Sequence, residues 1–229
     1  IKITANNKIT IGAPIPDMGQ GVSTAVPMLL ADELDANWND VTVEKLKSYV
    51  AMKDGRVEES QIRQNAGVSQ GIREVWLAMR EAGAIARHQL LAAASNIREI
   101  DIGQLSTEKG HVIILGTGEK LSYGELIDVA SKLPMTEYVP ILKTPDQFNI
   151  IGNDIKNEVS GNIVRGVPTF GLDMKVDGML YVMIKRSPYS EGSVVSFNKN
   201  QVEEMPGVVK TEILNRIPEN ASDERIMSA

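Results

Sequence analysis

From Ser69 to Ala93 the apolar residues return at every third or fourth position. Ile72, Val75, Trp76, Met79, Gly83, Ala86, Leu90 and Ala93 share one face, and Arg73, Glu74, Arg80, Glu81 and Arg87 share the other. Nothing else constrains the fold as much, because a helix with so long an apolar face must be buried or lie at an interface. Its middle, Ala82-Gly83-Ala84-Ile85-Ala86, is poor in bulk and lets another element come close. Ser69 stands where an N-cap belongs.

Around that helix the pattern is of short strands and turns. Residues 1–15 alternate about Ala5-Asn6-Asn7-Lys8, with Ile1, Ile3, Ile9 and Ile11 as apolar positions, which predicts a β-hairpin. Its second strand runs through Pro14 and Pro16 into Asp17-Met18-Gly19-Gln20-Gly21, and a helical pattern starts at once: Val22, Ala25, Val26, Leu29, Leu30, Leu34. Pro27 lies inside it and predicts a late start or a kink. Asp32, Glu33 and Asp35 read as a solvated helix end.

Farther on, Val41-Thr42-Val43-Glu44-Lys45-Leu46 reads as a strand and residues 51–61 as a polar surface loop around Gly55. Residues 107–115 predict a second hairpin turning at Lys109-Gly110, with Gly116-Thr117-Gly118 as a further turn. Ser122 and Glu125 form a capping box ahead of a short helix, 126–133. Pro134, Pro140, Pro145 and Gly152 punctuate 134–163, an expected extended connection. Beyond it, 169–174, 179–185 and 194–197 read as short strands joined by turns at Val176-Asp177-Gly178 and Ser190-Glu191-Gly192, and 201–205 as one helical turn. Residues 218–229 read as a frayed or cut end. The expected class is α+β.

Composition removes several functions. A formal charge of −6 and ten aromatics (two Trp, five Tyr, three Phe) offer neither a basic surface nor stacking platforms for nucleic acid. No apolar run approaches the ~20 residues of a membrane span. With no cysteine, the chain cannot hold a disulfide, a zinc–cysteine site or an iron–sulfur cluster; compartment stays open. Ile1 opens a strand-like stretch with no signal-peptide pattern, so translation is expected to start upstream.

Ligand-like composition gathers at Asp17–Thr24. Gly19 and Gly21 free the backbone to approach a flat or anionic ligand. Gln20 offers both an acceptor and a donor to a heterocycle edge, and the following helix would aim unpaired N–H groups at a phosphate. By spacing alone, Gly-x-Gly after a strand is more often just a tight turn into a helix. His88 and His111 lack companions at metal-ligand spacing and read as packed or surface residues. No G-x-S-x-G elbow occurs.

Read together, several blocks resemble the molybdopterin-binding large subunit of the xanthine dehydrogenase family, in the branch of isoquinoline 1-oxidoreductase β subunits and related aldehyde dehydrogenases. In order they are Asp17-Met18-Gly19-Gln20-Gly21-Val22-Ser23-Thr24-Ala25 with Pro27-Met28-Leu29 and Glu33-Leu34-Asp35; Ile72-Arg73-Glu74-Val75-Trp76; Leu121-Ser122-Tyr123-Gly124-Glu125-Leu126; Leu142-Lys143-Thr144-Pro145 with Phe148 and Ile151-Gly152; Gly171-Leu172-Asp173; Gly178-Met179-Leu180-Tyr181; and Arg186-Ser187-Pro188. Gly67-Val68-Ser69 stands where that branch has Gly-Gly-Ser.

The resemblance implies the N-terminal part of a molybdenum-cofactor-binding domain over 1–133, a connection over 134–163 and an α/β hammerhead-like domain over 164–229. It implies that Met18, Gly19, Gln20 and Gly21 contact a molybdopterin, in a dinucleotide form, that carries molybdenum and is shared with another chain or segment. No catalytic residue or metal ligand is implied here. The implied activity is oxidation of an aldehyde or N-heterocycle with water as oxygen source, the chain alone being inactive. The implied partners are the remainder of the large subunit, a small subunit bearing [2Fe-2S] clusters, and a cytochrome c subunit. The implied location is the periplasm or the periplasmic side of a membrane, with the cytoplasm as the other possibility. The alternative is a structural or assembly subunit that keeps the fold without the cofactor.

Overall fold

In a computed structural model, residues 1–46, 51–53, 56–58, 64–134, 138–189 and 192–214 are described. The chain divides into two compact units, Ile1–Phe170 and Gly171–Ala229.

The first unit opens with the expected hairpin, β1 (Lys2–Ile3) antiparallel to β2 (Ile9–Ala13). β2 then feeds α1 (Val22–Glu33), which returns the chain so that β3 (Val41–Lys45) lies parallel to β2. This β–α–β crossover is the frame of the unit. Ile9, Ile11 and Ala13 point from β2 into the core, where Val26, Leu29, Leu30 and Leu34 of α1 cover them. Full burial of one such side chain stabilises by roughly 1.5–3 kcal/mol. The late start expected at Pro27 does not occur. α1 begins at Val22, directly after Gly21, and Pro27 forfeits only the N–H that would have reached the carbonyl four residues back.

The long helix, α2, spans Gly71–Arg98. Gln70, not Ser69, precedes it as N-cap, without a side-chain bond; Ser69 stands at φ 55°, in a turn rather than a cap. The bulk-poor middle does what its composition predicts. A Cβ on Gly83 would lie 2.4 Å from the Leu30 carbonyl oxygen and 2.9 Å from Glu33 Cβ, so only glycine admits this crossing of α1 and α2. Between β3 and α2, where a loop was expected, β4 (Ala51–Lys53) and β5 (Arg56–Glu58) form an antiparallel ribbon.

A second antiparallel sheet, β6 (Leu105–Glu108), β7 (His111–Ile114) and β8 (Lys120–Ser122), turns at Lys109-Gly110 and at 116–118 as expected. α3 (Tyr123–Ala130) starts three residues earlier than its apolar pattern suggested, because the capping box sits at its first turn: Ser122 Oγ accepts from Glu125 N, and Ser122 N donates to Glu125 Oε2 at 2.7 Å. Tyr123 is fully buried and donates its hydroxyl to the Leu34 carbonyl at 2.6 Å, tying α3 to the end of α1. Burial, reinforced by the Asp35 charge, raises the phenol's pKa, which keeps it a donor. The described part of 134–163 holds only short elements, among them α4 (Ser160–Ile163), and residues 143–151 are fastened to α1.

The second unit differs from its expectation. Among its described residues there is no strand; the pattern at 169–174 becomes a 3-10 turn at Gly171–Asp173, and 179–185 and 194–197 form no ladder. The expected turn at Ser190-Glu191-Gly192 and the end at 218–229 lie largely or wholly outside the described residues. The one helix, α5 (Lys199–Glu203), begins two residues before the expected turn. Alternation predicts strand only where a partner supplies the ladder bonds, and Leu172, Met183 and Val195 are instead at least 95% exposed.

Candidate functional site

The β2–α1 junction carries the four residues singled out by sequence, and the structure brings them together on one exposed turn. Gly19 (φ 103°) and Gly21 (φ 81°) occupy backbone conformations that side-chain-bearing residues rarely adopt, and a Cβ added to Gly19 would meet nothing within 4 Å. Met18 is 73% exposed. The Gln20 amide is engaged within the turn, with one of its two N–H donors and one of its two acceptor sites in use. Its Nε2 donates to the Pro16 carbonyl at 3.0 Å and its Oε1 accepts from Met18 N at 2.5 Å. The amide therefore shapes the turn that it belongs to.

The expected anion seat at the start of α1 is also taken. Asp17 Oδ2 accepts from Ser23 N at 2.9 Å and from Ser23 Oγ at 2.5 Å, and Oδ1 accepts from Gly19 N at 2.7 Å. Burial alone would raise the Asp17 pKa; these bonds outweigh it and hold the group below its ordinary 3.8. Asp17 was part of the sequence block but carried no assigned role. The signal was there, in an Asp followed at two and six positions by Gly and Ser, the pattern of a carboxylate bonding to its own downstream amides.

Beside this turn a cavity of about 330 Å³ opens at the carboxyl ends of the parallel strands β2 and β3, lined by Ala13, Asp17, Ser23, Lys45, Glu158 and Asn162 among others. That edge of a β–α–β unit is where crevices for ligands form in open sheets. The turn ahead of α4 closes its rim: Glu158 N donates to Thr24 Oγ1 at 2.9 Å, and Asn157 Oδ1 accepts from Val159 N at 2.9 Å.

At the other end of α1, the acids expected in solvent are buried. Asp32 and Glu33 are 0% exposed. Glu33 Oε1 accepts from Arg80 Nε at 2.8 Å and Nη2 at 2.6 Å, with Arg87 3.9 Å from Oε2. Arg80, expected on the solvent face of α2, is 8% exposed, and its guanidinium stands 5.2 Å from the Trp76 ring centroid and 5.1 Å from that of Phe148. Asp32 accepts from Ile150 N (2.9 Å), Ile151 N (2.8 Å) and Lys143 Nζ (2.9 Å). Its pKa is raised by burial but, on balance, lowered by those amides and by Lys143. Lys143 Nζ also reaches Asp35 Oδ1 at 2.6 Å. With every carboxylate answered, this cluster has no free acid or base and works as a clasp. His88 stacks on Tyr138 at 3.8 Å, and burial lowers its pKa.

A family model described as the molybdopterin cofactor-binding domain matches residues 1–155. The chain is 24% identical to the isoquinoline 1-oxidoreductase subunit beta of Brevundimonas diminuta, across 91% of this chain and 30% of that one. It is 25% identical to the membrane-bound aldehyde dehydrogenase (pyrroloquinoline-quinone) of Gluconacetobacter polyoxogenes, across 91% of this chain and 26% of that one. It thus spans less than a third of either relative. Among solved structures, quinoline 2-oxidoreductase from Pseudomonas putida 86 is similar at 19% identity and a TM-score of 0.43, covering 57% of this chain and 16% of that one.

Proposed function

The chain belongs to the molybdopterin cofactor-binding domain family, and from that premise we propose that it supplies part of the cofactor site in the large subunit of a molybdenum hydroxylase. The observation that carries this reading is the family match across residues 1–155 together with the open glycine turn inside it. The residues present fit a pterin. A flat heterocycle can lie against Gly19 with no side chain in its way, and Met18 projects as an apolar, polarisable contact.

Met18, Gly19, Gln20 and Gly21 are then the contacts. Met18 and the glycines act through surface and backbone, and Gln20 acts by bracing the turn and through its main chain. When bound, the molybdenum centre supplies oxidative hydroxylation of an aldehyde or N-heterocycle with oxygen from water. This chain's residues hold and orient one side of the group. The same proposal includes a dinucleotide form of the cofactor, a periplasmic location, and as partners the remainder of the large subunit, a small subunit with [2Fe-2S] clusters and a cytochrome c. It also takes 164–229 as a portion of a hammerhead-like domain whose strands pair once the remainder is present.

Elemental analysis of the purified assembly tests it, with molybdenum expected at one per large subunit. Because one relative's name carries pyrroloquinoline quinone, the quinone is assayed in parallel. Quinone without molybdenum would sink the proposal. Gln20→Ala is expected to lower molybdenum content, and an unchanged content and activity would favour a structural subunit that binds no cofactor.

A further inference from the structure

A helix start collects N–H groups with no partner of their own, and such a concavity attracts an anion. In this chain the concavity is filled from within. Asp17 receives bonds from Gly19 N, Ser23 N and the Ser23 hydroxyl, all within seven residues. On the outer side, Gln20 bridges Pro16 and Met18. The turn is thus held from both sides, and what it leaves open is its rim, with Met18 projecting and Gly19 bare.

We propose that Asp17 is the positioning residue of the cofactor turn: its carboxylate serves as an internal anion that sets the shape of Met18–Gly21 before the pterin arrives and closes the start of α1 to the cofactor's own phosphate. This rests on the reading that the turn meets the cofactor. The consequence for recognition is that the turn takes the uncharged, flat part of the ligand. A phosphate brought to the same N–H groups would face Asp17, and two anions cannot share one seat.

The test uses the intact assembly with Asp17→Ala and Asp17→Asn, the second keeping the side chain's shape while removing its charge. Molybdenum and pterin per assembly are followed during dialysis, and the electron paramagnetic resonance of the Mo(V) state is recorded. Both variants are expected to lose cofactor about tenfold faster than the parent, the effect of losing a charge-assisted bond, and to shift the Mo(V) signal. Added formate, small enough to enter the vacated seat, is expected to slow the loss in Asp17→Ala and not in the parent. If Asp17→Ala does not assemble, Asp17→Asn decides. Variants that keep cofactor at the parental rate with an unshifted signal overturn this inference alone, whereas a parent assembly without molybdenum overturns the cofactor reading beneath it.

Discussion

At its start α1 meets one carboxylate, Asp17, whose partners lie two to six residues downstream. Its last turn holds Asp32 and Glu33, and the partners of these acids lie 47 to 119 residues away. The electrostatic settings are opposite as well. An acid at a helix N-terminus is favoured by the helix dipole, and acids at the C-terminus oppose it, so the second pair requires Arg80, Arg87 and Lys143 to offset both dipole and burial. One helix thus carries two kinds of fastening. The start is self-contained and can be reshaped without disturbing the core, as suits a turn proposed to meet a ligand. The end exists only when α2 and the 143–151 segment are both in place, so it reports on the integrity of the whole unit.

The largest effect that could break this comparison is expected at Arg80. Arg80→Ala leaves the Glu33 carboxylate buried with only its weaker partners, and breaking such a pair from one side costs about 3–5 kcal/mol. Denaturant unfolding of the assembly should show it. A loss no larger than that of Asp17→Ala, for which about 1 kcal/mol is the scale of a helix cap, would mean that the two ends are not different in kind. Next comes Gly83→Ala. Its Cβ would press on the Leu30 carbonyl and Glu33 Cβ, and overpacking of this sort costs about 1–3 kcal/mol. A variant as stable as the parent would show that α2 can back away without loosening the clasp.

The smallest effect is a pH dependence that sharpens the contrast. Folding lowers the Asp32 pKa below 3.8. The stabilisation is therefore whole above the unfolded value and is lost as pH falls through the folded one. The urea midpoint should drop as pH falls below about 5, and Asp32→Asn should flatten that drop. Asp17 is shifted in the same direction, but its loss should appear as cofactor release rather than unfolding.

The sequence makes local features of this unit legible, and the reason is distance along the chain. The hairpin at 1–15, the capping box of Ser122 and Glu125 and the tight turn at Lys109-Gly110 each depend on residues a few positions apart. Gly83 was readable for a different reason, since absence of bulk is visible without knowing what approaches. Arg80 was not readable. Periodicity assigns a charge to water, and the acid that draws this one inward lies 47 residues earlier. Asp32 and Glu33 failed in the same way. Of the candidate site, the four residues of the turn were visible as a block, but the bracing bonds of Gln20 to Pro16 and Met18 were not. The strands expected in Gly171–Ala229 failed because alternation names a surface and cannot supply the neighbour that completes it.

The separation between Asp32 and the amides of residues 149–151 also bears on how the protein is made. Those partners lie 117 to 119 positions downstream. At ribosomal speeds of roughly 5–20 residues per second, α1 is finished on the order of ten seconds before Asp32 can be answered. During that interval the nascent chain carries a helix end that it has no means to bury. The order of synthesis brings the 143–151 segment in after α2, and its arrival is what lets this end of α1 close.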